Sequence, residues 1–167
     1  SSASATTIFS DNFDDGNLNG WVVESDADIP GISWNIDNLT YAETKPGRNS
    51  DAGTSSLIGT INTSGFQNII VKYNRQLGEE GDDWETADEF KVSWSIDGNN
   101  YTSLKEITGP VNDANFVFET SDLPSSANNK PILYFKFGCT TNAQDEFCRL
   151  DNILIEGTAI SENPTDP

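Results

Sequence analysis

Histidine is absent from the 167 residues of this chain, and cysteine occurs only twice. Without imidazole there is no Ser–His–Asp or Cys–His relay and no histidine-bearing zinc site, since the commonest general base and transition-metal ligand is missing. Positive charge is scarce as well. Nine Lys and Arg stand against 27 Asp and Glu, giving a formal net charge of −18 and an isoelectric point near 4.1. So acidic a surface repels nucleic acid and anionic lipid before contact. The expected partners are instead cations, neutral polymers such as glycans, or a basic protein. No apolar run approaches the roughly 18 residues of a membrane span, so no membrane insertion is expected, and the N-terminus has no basic, apolar signal segment. Helix signals are nearly missing too: no stretch of about 11 residues keeps a clean 3.6 period.

What remains is a chain of short β-favouring runs separated by Gly, Asn, Asp and Ser turns. Strands are expected over 7–13, 21–25, 33–36, 55–61, 69–77, 89–96, 102–107, 115–120, 132–137 and 149–156. That density predicts an all-β fold, an antiparallel β-sandwich of jelly-roll type. The length suits one domain. Residues 1–7 are Ser, Ala, Thr and one Ile-flanking Thr pair, and 158–167 are polar and proline-bearing. Both ends read as linkers around a module at 8–157 within a longer secreted chain, with ordinary frayed termini as the alternative. A monomeric module is expected.

Period-two alternation assigns faces. Phe90, Val92, Trp94 and Ile96 form one row, with Lys91, Ser93 and Ser95 on the other, before an Asp97-Gly98 turn. Ile69, Val71, Tyr73 and Leu77 form an inward row, leaving Ile70, Lys72, Asn74 and Gln76 outside. Arg75 shares the apolar parity, so it either sits at the sheet margin or pairs with a buried carboxylate. Leu133, Phe135 and Phe137 face in if Tyr134 and Lys136 face out.

Cys139 and Cys148 flank the loop between the last two expected strands. A disulfide at this hairpin end is expected, which implies an oxidising, extracellular compartment; two free thiols in a cytosolic protein are the alternative. Asn38, Asn62 and Asn100 each open a glycosylation triplet, a pattern that arises easily in a chain this rich in Asn, Ser and Thr.

The most informative acidic segments lie near the two chain ends, in Phe9-Ser-Asp-Asn-Phe-Asp-Asp-Gly-Asn-Leu-Asn-Gly-Trp21 and Arg149-Leu-Asp-Asn-Ile-Leu-Ile-Glu-Gly157. If first and last strands pair, Asp14 and Asp151 converge at one edge, with Asp11, Asp51 and Asp88 as further contributors. Calcium takes six to eight oxygens at about 2.3–2.6 Å and accepts such a dispersed set. The alternative is that these acids merely cap turns.

Three segments resemble a known group in order along the chain. Asn12-Phe-Asp-Asp-Gly-Asn-Leu-Asn-Gly-Trp21 is similar to the "F-E/D-x-G-x-x-x-G-W" start of secreted bacterial jelly-roll modules. Phe90-Lys-Val-Ser-Trp-Ser-Ile-Asp-Gly98 resembles their "V-x-x-S-x-D-G" hairpin. Leu150-Asp-Asn-Ile-Leu-Ile-Glu-Gly157 resembles their closing "I-D-N/D-V-x-V-x-G" strand. The likeness spans about residues 8–157 and is to galactose-binding-domain-like sandwiches, including carbohydrate-binding modules and, more distantly, MAM-type adhesion domains. It implies a structural calcium at Asp14 and Asp151.

The function expected is therefore a non-catalytic carbohydrate-binding module with calcium, not an enzyme. Trp84, Trp34, Tyr41, Tyr73 and Tyr134 are the candidate sugar platforms, with Arg75, Lys72, Asn74 and Gln76 as polar partners. Trp84 lies in an acidic, Gly-containing loop where an apolar ring needs cover, either from a ligand or by folding back onto the sandwich rim. One alternative is a calcium-rigidified adhesion or spacer domain, which should hide all four Trp residues. A lesser one is a jelly-roll glycoside hydrolase or lyase using Glu85, Asp88 and Glu89, whose spacing fits a loop entering a strand better than a catalytic face.

Overall fold

The computed structural model describes residues 4–26, 33–37, 40–48, 51–79 and 84–161. Strand makes up 60% and helix 2%, as the pattern of short β-favouring runs requires. In chain order the strands are β1 (Ala5–Asp11), β2 (Trp21–Ser25), β3 (Asn35–Asp37), β4 (Tyr41–Thr44), β5 (Gly53–Ile61), β6 (Phe66–Glu79), β7 (Glu89–Ser95), β8 (Thr102–Thr108), β9 (Val117–Asp122), β10 (Leu133–Thr141) and β11 (Glu146–Ala159). One antiparallel sheet has the order β3-β4-β11-β6-β9, with β1 also on β11; the other runs β2-β5-β10-β7-β8. The two face each other as a jelly-roll sandwich. Among the described residues, no helix is long and apolar enough to cross a membrane.

Strand β11 organises the larger sheet. Its first half pairs with β4, Cys148 to Leu150 against Thr44 to Ala42, and its second half pairs with β1 from Ile153 onward. The change of partner falls at Asp151 and Asn152, where the register with β6 slips and Asn152 takes a φ of 49°. Such a bulge re-aims side chains at a sheet margin. Strand β4 was not expected, because Tyr-Ala-Glu-Thr turns only the small Ala42 and Thr44 inward and so carries little apolar signal. Strands β6 and β11 overrun their expected ends, and Ala5 pairs with Thr158 beyond the expected linker edges.

The alternation holds best in β10, where Leu133, Phe135, Phe137 and Cys139 are fully buried between half-exposed neighbours. Phe137 meets Tyr73 edge-on at 5.3 Å, and Phe135 meets Trp21 at 5.3 Å, aromatic contacts that add to the roughly 1.5–3 kcal/mol each large side chain contributes by burial. Gly59 faces Phe135 so closely that a Cβ there would lie 2.2 Å from the ring. The Phe90 row departs from expectation at its end: β7 stops at Ser95, and Ile96 turns out to 49% exposure. Ser93 and Ser95, expected outside, are enclosed as well.

Cys139 and Cys148 form a disulfide with Cα atoms 6.2 Å apart. It differs from the expected hairpin staple in one respect. Cys139 belongs to the five-stranded sheet and Cys148 to the other, so the bridge ties the two layers through the core.

Candidate functional site

Three of the expected sugar platforms are enclosed, and that expectation is corrected here. Trp84 has no exposed surface: its indole donates to the Gly78 carbonyl at 2.9 Å and its backbone amide to Val111 at 2.9 Å. Those bonds hold the indole against the sandwich rim, so the ring needs no ligand to cover it. Trp34 is 3% exposed, with its indole donating to the Ser55 carbonyl, and Tyr73 is fully buried as its parity required. Trp21 and Trp94 are core residues too. Arg75 points inward at the sandwich margin between Asp113 and Glu119, pairing with both.

The other expected residues divide between two opposite faces. Tyr41, Lys72, Asn74 and Gln76 lie on the outer face of the six-stranded sheet, where most are committed. Gln76 accepts from Arg149 at 3.2 Å and donates to the Asp113 carbonyl, and Lys72 pairs with Glu156 at 3.2 Å. Tyr41 sits 5.7 Å from the Phe116 ring, with the Arg149 guanidinium 5.3 Å from its own. Asn74 stands opposite Phe118, an outward ring that is 62% exposed. Tyr134 alone lies across the molecule, on the outer face of the five-stranded sheet.

That second face carries a trough of about 120 Å³. Thr54 and Ser56 of β5 wall one side, and Glu89, Lys91 and Ser93 of β7 wall the other. Gly138 of β10 is its floor: a Cβ there would meet nothing nearer than Ser56 Oγ at 3.6 Å. The hydroxyls of Thr54 and Thr140 lie 2.8 Å apart at one end. Toward the other, the Lys136 ammonium stands 3.7 Å over the Tyr101 ring. Burial pushes the Tyr101 phenol up, reinforced by the negative charge of Glu24 and by Tyr134, which gathers those groups at the same end. Hydroxyls, ammonium groups, a carboxylate and half-buried tyrosines on one concave strip supply donors and acceptors in the mixture that polyhydroxylated ligands need.

Two acidic groups lie elsewhere. At the corner where β1 meets β11, Asp11, Asp14 and Asp151 share a neighbourhood. Burial raises the Asp151 carboxyl, and the charges of Asp14 and then Asp11 raise it further. Asp11 also accepts from the Phe13 amide at 2.8 Å and the Trp21 indole at 2.7 Å, which anchors the turn. An open groove lined by Ser10, Asn12 and Asn152 runs beside them. The second group brings Glu85, Asp88 and Glu146 together with carboxylate oxygens all within 4.8 Å, and among the described residues no other set of acids closes so tightly. Asp51 belongs to neither group; it is exposed and forms a β-bridge with Arg48.

No family model matches this chain, and no curated protein matches it. Solved structures do. The K3 cleaved adhesin domain of Lys-gingipain from Porphyromonas gingivalis W83 superposes with a TM-score of 0.65 at 14% identity, covering 92% of this chain and 99% of that one. The chain has a jelly-roll β-sandwich fold. The CBM22-1 xylan-binding domain of Paenibacillus barcinonensis Xyn10C gives a TM-score of 0.61 at 12% identity, covering 96% of this chain and 100% of that one. TmCBM61, solved with β-1,4-galactotriose, gives 0.57 at 9% identity over 86% of this chain and 92% of that one. At such identities the agreement establishes the jelly-roll fold.

Sequence reasoning missed the trough and Glu146. The trough had a signal: placing Tyr134 and Lys136 outside puts Gly138 on the same row. Glu146 had none, since its contacts with Asp88 span 58 positions of chain.

Proposed function

We propose that this chain is a non-catalytic glycan-binding module of a secreted multidomain protein, taking its ligand in the trough over Gly138. The observation that carries this reading is the trough itself, a strip of hydroxyl and ammonium groups left open by a glycine in mid-strand. Sugar hydroxyls pair with Ser56, Thr54 and Thr140, and Lys91 and Lys136 donate to ring or hydroxyl oxygens, with Tyr134 and Tyr101 flanking one end. A structural calcium ion between Asp14 and Asp151 fits the corner: the half-buried Asp151 carboxyl, raised by burial and by the charge of Asp14, would be relieved by a hard cation. The buried disulfide supports an extracellular setting. Glu85 and Asp88 do not support catalysis, because Asp88 and the Glu146 carboxylate beside it are 0% and 1% exposed and so out of reach of a substrate.

A second reading, an adhesion or spacer domain rigidified by calcium, is favoured by one observation: all four tryptophans are enclosed. Gly138→Val separates the two. Valine suits a strand, and the space above Gly138 admits its Cβ without touching the core. The variant should melt with the parent yet lose the glycan signal on an array and in calorimetry. Unchanged glycan binding by Gly138→Val would move the ligand away from the trough, and no glycan bound by the parent would leave the adhesion reading.

A further inference from the structure

We propose a second cation site, separate from the Asp14/Asp151 corner and independent of the glycan reading, formed by Glu85, Asp88 and Glu146. Three carboxylates meet within 4.8 Å, and two of them, Asp88 and Glu146, are enclosed. The protein's own donors reach one oxygen of each. Glu85 Oε2 accepts from Asn142 Nδ2 at 3.0 Å, Asp88 Oδ2 from the Glu85 amide at 2.7 Å, and Glu146 Oε2 from the amides of Asn142 and Ala143 at 2.9 and 2.7 Å. Asp88 Oδ1 is buried with no hydrogen-bond donor. An ionised oxygen left so is strongly destabilised, and without a cation the only relief is a proton shared between Asp88 and Glu146, whose side chains then hydrogen-bond. Among the described residues no lysine or arginine offsets Asp88 or Glu146; burial is the first cause raising both carboxyls, Glu146 to about 7.

The chemistry of the donors names the class of ion. All are oxygens, both cysteines are in the disulfide, and the chain has no histidine, so soft and borderline metals find no ligand of their own. Magnesium keeps several waters and suits an open site, whereas enclosed carboxylates at flexible distances suit calcium. The site joins three parts of the fold: the loop that anchors Trp84, the Asn142–Ala143 turn and the start of β11. A bound ion therefore staples the β10–β11 turn to the entry of β7 beside the disulfide.

The test uses the whole chain, stripped with EDTA, and terbium as a luminescent stand-in for calcium. Trp84 precedes Glu85 directly and should sensitise an ion held there. Glu146→Gln and Asp88→Asn should each remove a terbium component that calcium competes away in the parent, and weaken calcium by at least the roughly 10–100-fold that outer-shell changes cost. Asp151→Asn should leave that component in place, since it addresses the other corner. Both site variants replace a crowded anion by an amide of the same shape, so they should melt no lower than the metal-free parent. A parent with no calcium-competed terbium signal overturns the proposal, as does a signal that survives Glu146→Gln and Asp88→Asn or vanishes only with Asp151→Asn.

Discussion

Breaking the Cys139–Cys148 bridge tests how the two layers are held together. The cystines are nine positions apart, so oxidation closes a short loop in the unfolded chain. The chain-entropy relation gives about 8.6 cal/mol/K for such a loop, or about 2.6 kcal/mol at 25 °C. Reduction keeps both sulfurs in place, and so isolates this contribution. A Cys139→Ala/Cys148→Ala double variant removes them from sites with no exposed surface, adding about 1–2 kcal/mol for lost packing. Urea unfolding followed by the fluorescence of the buried tryptophans reads both. The reduced protein should lose about 2.6 kcal/mol and melt roughly 5–10 °C lower, with a slightly steeper urea slope because its unfolded chain exposes more surface. The alanine variant should fall further. Because both sulfurs are enclosed, the native protein should also resist dithiothreitol until denaturant opens the sheets. A reduced protein within about 0.5 kcal/mol of the oxidised one would refute the entropic argument.

Two further outcomes follow from single side chains. The Tyr73 hydroxyl is buried without a partner, so Tyr73→Phe should leave stability unchanged or raise it by up to about 1 kcal/mol in urea titration; a clear loss would mean the hydroxyl is bonded. Asp97 accepts from the amides of Asn99 and Asn100, the Asn100 side chain and Ser95 Oγ, and these bonds hold its carboxyl far below the ordinary 3.8. A depressed acid stabilises the fold above its unfolded value and loses that contribution as pH falls below it. The melting-temperature gap between the parent and Asp97→Ala should therefore be widest near neutral pH and close as pH drops from about 4 toward 2, and a gap that stays constant would refute the linkage.

The fold was legible where side chains obey a period that burial enforces. Phe90, Val92, Trp94 and the Leu133, Phe135, Phe137 row declare an inner face because each step of two is large and apolar. Strand β4 was invisible since its inner residues, Ala42 and Thr44, are small, and only pairing with β11 makes it a strand. The site was read less well for two physical reasons. Acidic neighbours leave Trp84 open to two readings, a platform for ligand or a ring folded back on the rim, and the choice is made by hydrogen bonds to Gly78 and Val111, which composition does not encode. Glu146 is not legible as a partner of Asp88, because it reaches Asp88 only through the turn that carries the chain from β10 in one sheet to β11 in the other. Asp14 and Asp151 are readable together because β1, which leads into Asp14, pairs with the stretch of β11 that follows Asp151. The Asn38 glycosylation triplet, by contrast, begins outside the described residues.

The trough and the carboxylate group are neighbours by register, and this joins the two proposals. Thr140 of β10 pairs with Glu89 of β7, and that pair closes one end of the trough. The next residue back from Glu89 is Asp88, and two beyond Thr140 lies Asn142, whose amide binds Glu146. An ion on Asp88 and Glu146 would thus tie the entry of β7, one residue from the trough's end, to the start of β11, which the Asn142 amide links back to β10, while touching no ligand there. Its effect on a glycan would come through geometry, by fixing the spacing of Glu89 and Thr140 before the ligand arrives, which lowers the ordering cost of binding. The disulfide acts close by, tying β10 at Cys139, the neighbour of Thr140, to Cys148 of β11. The floor of the trough needs no such help: Gly138 is paired on both sides, with Ser56 and Lys91, in the middle of its sheet. Rigidity is therefore supplied where the sheet ends and its own ladder no longer provides it.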